Sequence, residues 1–204
     1  SEASGRSYLL AKPDLVVSLC KLLTLENADS TARQNALGTL QKLSLRRQPQ
    51  NTMIDADIIA WLARMLSEVD SLSQYSVEYG TALLMNLSLR TAGKGKCAEP
   101  DIAILDVLSQ LMESDSLQVR TYVNGTLYSI LVRAPLKEKA REIGLPESLE
   151  ALIEHSDGTL ARQINYILEQ LQAPPVEDDG NASEADDEDE DEDDEDDGEE
   201  EDED

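Results

Sequence analysis

Leu40-Gln-Lys-Leu43-Ser-Leu45-Arg46 is a heptapeptide that returns along the chain at nearly constant spacing. Its other copies are Leu84-Met-Asn-Leu87-Ser-Leu89-Arg90, the looser Leu127-Tyr-Ser-Ile130-Leu-Val132-Arg133, and the partial Leu168-Glu-Gln-Leu171. The first leucines of the copies are 44, 43 and 41 residues apart. A period of this length is typical of stacked helical repeats. Because stacking produces an extended surface, the pattern favours a binding role over catalysis.

The apolar spacing and the turn residues predict an all-α chain. The predicted helices begin at Pro13-Asp14 and after the N-cap Asp29-Ser30, and continue as Ile54–Leu66, Tyr75–Leu89, Pro100–Met112 and Leu117–Val132. Pro135 then breaks the chain, and three helices follow, approximately 136–143, 146–154 and 160–171. Two short helices and one long helix favour an armadillo unit over the helix pairs of HEAT repeats. We therefore expect an armadillo-like α-solenoid of about four repeats over residues 13–174.

The repeated phrase also predicts the core. Its apolar positions fall at the i, i+3 spacing of one helix face. The residues expected in the core are Leu40, Leu43, Leu84, Leu87, Leu127, Ile130, Leu168 and Leu171. Small residues recur at one phase of the long helices, at Gly38, Ala82 and Gly125. Glycine inside a helix lowers stability by about 1 kcal/mol relative to alanine, so its recurrence at one phase needs a structural reason. We expect that these positions permit close helix approach.

The formal net charge of −26 is concentrated at the carboxyl end of the chain. Residues 177–204 contain 22 of the 43 acidic residues and no lysine or arginine. Such a segment cannot bury apolar surface, and its charges repel each other. We expect a disordered acidic tail over residues 175–204, and an N-terminal segment at a fragment boundary over residues 1–12.

The sequence contains no recognisable catalytic or metal-binding constellation. His155 is the only histidine, and Cys20 and Cys97 show no metal-ligand spacing. No apolar run approaches the ~18 residues that a membrane span needs. We expect a non-enzymatic protein that binds other proteins, with no cofactor, no nucleic-acid partner and no membrane insertion.

Arginines close three copies of the phrase and form a candidate partner-binding ladder. They are Arg46, with Arg47 beside it, Arg90 and Arg133. One interpretation is a basic edge for an acidic partner segment, for which the acidic tail of the chain would compete. The other is that these cations stabilise helix carboxyl ends, where they complement the macrodipole.

Asn86 is a second candidate partner-binding residue. Peptide-binding armadillo proteins carry an asparagine on the long helix of successive repeats, where it hydrogen-bonds the backbone of an extended ligand. The corresponding positions here are Lys42, Asn86 and Ser129, so the asparagine ladder is essentially missing. Trp61 lies on a different helix, so the accompanying tryptophan array is missing as well. A nuclear transport adaptor for basic peptides is therefore disfavoured.

Several long stretches resemble a known family. They are Asp14–Ser30, Arg33–Arg47, Tyr79–Arg90 and Tyr122–Leu131, with the short match Arg162–Ile164. The family also has an acidic run after its last repeat, which Asp178–Asp204 resembles. The sequence is similar to the ciliary LisH and armadillo family called armadillo repeat-containing protein 9. The resemblance covers roughly residues 8–172 and implies the carboxy-terminal armadillo repeats of that family followed by its acidic tail.

The resemblance implies a place and a set of partners. Members of the family belong to the cytoskeleton of primary cilia, at the basal body, the centrioles and the ciliary tip. There they join a module with TOG-domain microtubule-associated proteins. They are linked to ciliogenesis (cilium assembly), ciliary stability, Hedgehog signalling and Joubert syndrome. Dimerisation would come from a LisH motif and a coiled coil upstream, neither of which is in this chain.

Two functional hypotheses follow. The first is a protein–protein interaction scaffold of the ciliary base and tip, with the concave surface of the long helices as its contact region. Tight direct binding to microtubules is disfavoured for this chain, because the tubulin surface and the tail are both acidic. The alternative is an acidic chaperone or escort, in which the tail shields basic clients such as histones or ribosomal proteins.

Overall fold

The computed structural model describes residues 14–25 and 29–174. The elements in these ranges are helical: α1 (Leu15–Leu25), α2 (Thr31–Leu43), α3 (Arg47–Asp55), α4 (Ile58–Leu66), a 3-10 turn (Val69–Ser71), α5 (Gln74–Ser88), α6 (Thr91–Cys97), α7 (Ile104–Leu111), α8 (Leu117–Ile130), α9 (Ala134–Glu142), α10 (Leu145–Ile153) and α11 (Gly158–Gln172). The expected all-α class is confirmed. The segment at 1–12 and the acidic tail at 175–204 lie outside the described residues.

The helices form an armadillo-like stack of repeats. Three units have a short first helix, a second helix and a long third helix: α3–α4–α5, α6–α7–α8 and α9–α10–α11. Before these units, α1 corresponds to the second helix of a unit and α2 to its long third helix. The long helices α2, α5, α8 and α11 pack side by side in that order. Each repeat therefore buries its apolar face mainly against its neighbours, as expected of a solenoid.

One predicted helix is wrong and two helices were missed. The helix predicted over Ile54–Leu66 is broken at Asp57, whose φ of 59° is left-handed, so that α3 ends and α4 begins there. The missed helices α3 and α6 are polar or glycine-rich, so their sequences carry little apolar periodicity. Tertiary packing stabilises them. At Gly93 in α6, a β-carbon would collide with the carbonyl oxygen of Leu87.

The leucines of the repeated phrase lie in the core. Seven of the eight residues expected there are at most 3% exposed; they are Leu40, Leu43, Leu84, Leu87, Leu127, Ile130 and Leu171. The eighth, Leu168, is partly buried and packs against the same core. In the same phrase Leu45 and Leu89 are 61% and 55% exposed. Buried and exposed leucines of the phrase, such as Leu43 and Leu45, are therefore only two residues apart.

Polar side chains begin each long helix. The side chains of Ser30, Ser73, Ser116 and Asp157 are N-caps that accept hydrogen bonds from the backbone of the first turn. Asp29 joins two of these helix starts. It accepts hydrogen bonds from the Ser73 backbone NH at 2.6 Å and the Ser76 hydroxyl at 2.5 Å, and lies 3.7 Å from the Arg33 guanidinium. One carboxylate thus ties the start of α2 to the start of α5.

Substitutions within one phrase test the register of the core. We expect Leu43→Ala and Leu87→Ala each to lower the free energy of unfolding by about 2–5 kcal/mol, because each empties a fully packed site. Leu45→Ala and Leu89→Ala are matched controls on the exposed side, and we expect changes of about 0.5 kcal/mol or less. Urea denaturation of the four variants measures the difference. Equal losses in the buried and exposed pairs would contradict this register.

The Asp29 junction makes stability depend on pH. Burial acts to raise the pKa of Asp29, but hydrogen bonds from Ser76 and Ser73 outweigh it and hold the pKa below its usual value. The stabilisation is therefore present above the unfolded-state pKa of about 3.9. It is lost as the pH falls through the folded-state pKa, where the carboxylate protonates.

We expect Asp29→Asn to be less stable than the parent at neutral pH, and the difference to shrink as the pH falls below about 4. Thermal melts of both proteins across the pH range measure it. The acidic segment is common to both, so its titration cancels in the comparison. Asp115→Asn, an exposed aspartate before α8, controls for the loss of one charge. A difference that does not change with pH would contradict the role of the Asp29 carboxylate.

Candidate protein-binding surface

Tyrosines are concentrated on the long helices. Five of the six tyrosines in the sequence belong to α5, α8 and α11; they are Tyr75, Tyr79, Tyr122, Tyr128 and Tyr166. Tyr128 and Tyr166 are 51% and 57% exposed, although neither lies near a chain end. The chain has no phenylalanine and one tryptophan, so most of its aromatic surface is placed on one set of helices.

Tyr128 and Tyr166 border a groove between three long helices, which we call the tyrosine groove. Its volume is about 440 Å³, and its lining comes from α5, α8 and α11: Met85, Thr121, Asn124, Gly125, Tyr128, Gln163 and Tyr166. The α8 residues follow the i, i+3, i+4, i+7 spacing of one helix face. The groove is therefore a consequence of stacking, because no single repeat supplies it.

The floor of the tyrosine groove depends on a glycine. A β-carbon at Gly125 would lie 2.8 Å from the sulfur of Met85 on the neighbouring long helix, closer than packed atoms approach. Beside it, the Asn124 side-chain amide donates a hydrogen bond of 3.1 Å to the Gln163 side chain, which links α8 to α11. The expected close helix approach at Gly125 is confirmed.

A second aromatic site lies at the start of α5. The rings of Tyr75 and Tyr79 stack with centroids 4.1 Å apart and planes 20° from parallel. The Tyr75 hydroxyl lies over Gly38 of α2, where a β-carbon would collide with it. Burial, with contributions from Tyr79, raises the pKa of Tyr75. The expected close approach at Gly38 is likewise confirmed.

These features match the chemistry of protein recognition. Tyrosine offers a rigid apolar ring and a hydroxyl that donates and accepts hydrogen bonds, and it is enriched at interfaces. Amide side chains such as those of Asn124 and Gln163 can pair with a peptide backbone. Sequence reasoning missed this site, because tyrosines 38 residues apart, such as Tyr128 and Tyr166, meet only after stacking. The available signal was the concentration of tyrosine on the predicted long helices.

The arginine ladder occupies the junctions that follow the long helices. Arg46, Arg90 and Arg133 are the N-cap residues of α3, α6 and α9, and Arg47 is the first residue of α3. All four are half-buried. The guanidinium of Arg133 donates a hydrogen bond of 3.2 Å to the carbonyl of Thr91, at the start of the preceding first helix. Part of the ladder therefore joins successive repeats.

Asn86 also makes a contact between repeats. It is 7% exposed, and its side-chain amide donates a hydrogen bond of 2.8 Å to the hydroxyl of Ser44, which follows α2. At the equivalent position, the Ser129 hydroxyl donates to the carbonyl of Ser88 at 2.7 Å. Both side chains join the carboxyl end of one long helix to that of the preceding one. This geometry uses the Asn86 amide inside the protein.

The described residues contain no group of three or more histidine, cysteine or acidic side chains arranged to hold a metal ion. Cys20 and Cys97 are free thiols buried in the core. Within the same residues, the helices are too short or too polar to cross a bilayer.

The chain is similar to proteins of one named family. Residues 53–172 match the family model described as "LisH domain-containing protein ARMC9, ARM repeats". The protein of that name from Bos taurus is 43% identical over 187 residues, which are 92% of this chain and 28% of the relative. The Danio rerio protein is 42% identical over 86% of this chain and 22% of its own length. The chain therefore spans about a quarter of the length of these relatives.

Among the solved structures that resemble this chain are designed armadillo repeat proteins. Computationally designed armadillo repeat proteins for modular peptide recognition superimpose with a TM-score of 0.65 at 21% identity, covering 76% of this chain and 64% of theirs. A designed armadillo repeat protein in complex with the peptide (KR)4 gives a TM-score of 0.64 at 18% identity, covering 77% and 64% of the two chains. Identities this low establish the armadillo fold alone. The family match over residues 53–172 establishes more: this chain belongs to the armadillo-repeat region of the LisH domain-containing ARMC9 family, a repeat scaffold for protein interactions.

Proposed function

We propose that this chain is a non-enzymatic scaffold that binds a segment of a partner protein in the tyrosine groove. The observation that carries the proposal is the placement of exposed Tyr128 and Tyr166 around an apolar groove built from three repeats. A soluble surface without a partner gains little from exposing large rings side by side. A bound segment would cover both rings and remove water from the groove between them.

The groove favours a partner segment with apolar side chains and accessible backbone groups. Met85 and the two tyrosine rings supply apolar contact, and methionine adapts to irregular shapes. The hydroxyls of Tyr128 and Tyr166, with the side chain of Gln163, can exchange hydrogen bonds with backbone amides. Because these groups come from three successive helices, an extended segment lying across the helices meets them all.

The family resemblance supports a proposal for the cellular setting of this scaffold. We propose that it acts in the ciliary basal body, centriole and tip module that supports ciliogenesis, ciliary stability and Hedgehog signalling. Its partner there would be a TOG-domain microtubule-associated protein. Membership in the ARMC9 family supports this placement. The absence of a membrane-spanning helix among the described residues is compatible with recruitment by protein contacts.

A second candidate function rests on the acidic run. The 22 acidic residues of 177–204 could shield basic clients such as histones or ribosomal proteins, with the repeats presenting the tail. The two functions use different parts of the chain. The scaffold needs the tyrosine groove, whereas the escort needs the carboxylates, so substitutions can separate them.

Proximity labelling in ciliated cells tests the scaffold. We expect Tyr128→Ala combined with Tyr166→Ala to lose labelling of ciliary TOG-domain proteins that the parent chain labels. The control is Leu117→Ala, which removes an apolar side chain that is 52% exposed at the start of α8 and does not line the groove. For a purified partner, loss of a hot-spot pair worth about 2 kcal/mol raises Kd about 30-fold.

Two outcomes would contradict the proposal. If the double tyrosine variant binds the partner as tightly as the parent and the Leu117→Ala control, the groove is not the contact site. If histones or ribosomal proteins are recovered, and only by chains that retain residues 176–204, the acidic escort is the function. Circular dichroism of the tyrosine variant tests whether its helices remain folded.

A further inference from the structure

Basic residues are concentrated in the first helices of the repeats. The segments 46–55, 90–97 and 133–142 contain nine of the 17 lysines and arginines of the chain and three of its 43 acidic residues. Together they span α3, α6 and α9 with their N-cap arginines. A chain with a formal charge of −26 therefore carries a local excess of six positive charges in these three segments.

The three segments form one continuous edge, which we call the basic edge. The carboxyl ends of the long helices that precede them are joined by hydrogen bonds, Asn86 to Ser44 at 2.8 Å and Ser129 to the Ser88 carbonyl at 2.7 Å. The first helices α3 and α6 pack against each other, and Arg133 reaches back to Thr91. The cations are therefore in register from repeat to repeat.

The described part of the chain ends at Pro174, beside one end of the basic edge and three residues before the acidic segment. Lys137 of α9 is 2% exposed, and its ammonium donates hydrogen bonds to the carbonyls of Ala173 at 2.6 Å and Pro174 at 3.3 Å. Arg141, one turn further along α9, donates at 2.5 Å to the carbonyl of Leu171. Two cations of α9 thus hold the point from which the chain continues toward Glu177.

We propose that the acidic segment of this chain, Glu177–Asp204, binds the basic edge in cis. The charges are complementary, since the segment has 22 carboxylates in 28 residues and follows Pro174 by three positions in the sequence. The distance is short, because crossing two repeats at 8–10 Å per packed helix layer takes about 20 Å. A fully extended segment of this length can reach roughly 90 Å at ~3.3 Å per residue, so it spans the edge with chain to spare.

Covalent linkage makes weak attraction sufficient. A short tether gives an effective concentration on the order of millimolar, so an intrinsic dissociation constant near that value already leaves the edge about half occupied. Individual exposed ion pairs contribute ~0.2–1 kcal/mol, and several along the edge add up. Binding on the edge also separates carboxylates that otherwise repel each other. An acidic ligand from outside must then displace the segment before it can bind the same cations.

Helix capping does not account for the charge of the edge. In α3 and α9 the N-cap arginine makes no side-chain cap hydrogen bond, and the first turn contains no acidic residue. Cations at a helix start are opposed by the macrodipole, whereas an approaching carboxylate is favoured there. Lys96 also has acidic neighbours, since its ammonium lies 3.5 Å from Asp57 and 3.0 Å from Glu99.

Paramagnetic relaxation enhancement on the full 204-residue chain tests the proposal. A nitroxide is attached through Gly198→Cys, a neutral position within the acidic run. Burial raises the pKa of Cys20 to about 11 and that of Cys97 to about 12, so both native thiols stay protonated and resist labelling. We expect broadening of backbone amides at the starts of α3, α6 and α9 at low salt, and its loss at ~1 M salt, where the Debye length is about 3 Å.

A charge-matched pair of variants provides the control. We expect Arg47→Gln with Lys94→Gln, both on the basic edge, to lose the broadening. Lys21→Gln with Arg64→Gln removes the same charge from exposed positions on α1 and α4, and we expect it to retain the broadening. The amide spectrum of each variant reports whether it remains folded, and the salt series on the parent chain does not depend on either variant.

Besides the mixing experiment described below, four results would overturn the proposal. They are the absence of broadening at low salt, broadening on another surface, broadening that both variant pairs retain, and broadening that persists at ~1 M salt, where charge attraction is screened. A mixture distinguishes the cis contact from a contact between copies. It contains nitroxide-labelled protein that is not isotope-enriched and isotope-enriched protein that carries no nitroxide. If the broadening appears undiminished in the mixture, a second copy is the occupant and the cis proposal fails. The tyrosine groove shares no lining residue with these variants, so this test and that of the scaffold are independent.

Discussion

Burial of apolar faces between successive long helices is the interaction on which the rest of this protein depends. Leu40, Leu84 and Leu127 hold equivalent places in three repeats and are all at most 1% exposed. No repeat can bury these side chains by itself, so each is stable only between its neighbours. The first helices, the caps and the surface groove all take their positions from this stack. Even the glycine-rich α6 is helical because α6 packs against this stack of long helices.

Polar contacts determine how the stacked helices align. Apolar burial is non-directional and tolerates sliding, whereas a hydrogen bond requires a particular distance and angle. The contacts of Asp29 align the starts of α2 and α5, and those of Asn86 and Ser129 align the carboxyl ends of successive long helices. This contact explains why asparagine occurs at this position in only one of the three repeats. The Asn86 amide hydrogen-bonds Ser44 at one junction, and Ser129 makes the corresponding contact one repeat later.

The stack separates two kinds of surface chemistry. The tyrosine groove lies on the faces of α5, α8 and α11, where apolar rings and amides suit a protein segment. The basic edge follows the first helices, where charge dominates and salt controls the strength of any contact. Because the two surfaces share no lining residue, occupation of one leaves the groups of the other in place. A scaffold built this way can hold a partner while its charged edge is occupied by a different segment.

The sequence by itself determined the repeat, the all-α class, the long helices and the buried leucines, because a periodic apolar pattern has only one way to bury itself in helices. It also determined the family, since long stretches match. Only the tertiary structure decided the break at Asp57, the helices α3 and α6 and the internal use of Asn86. It also decided the tyrosine groove and the continuity of the basic edge. At the repeat junctions and in the tyrosine groove the decisive contacts join residues about 40 positions apart, such as Ser88 and Ser129. The local sequence does not specify which neighbour such a side chain will contact.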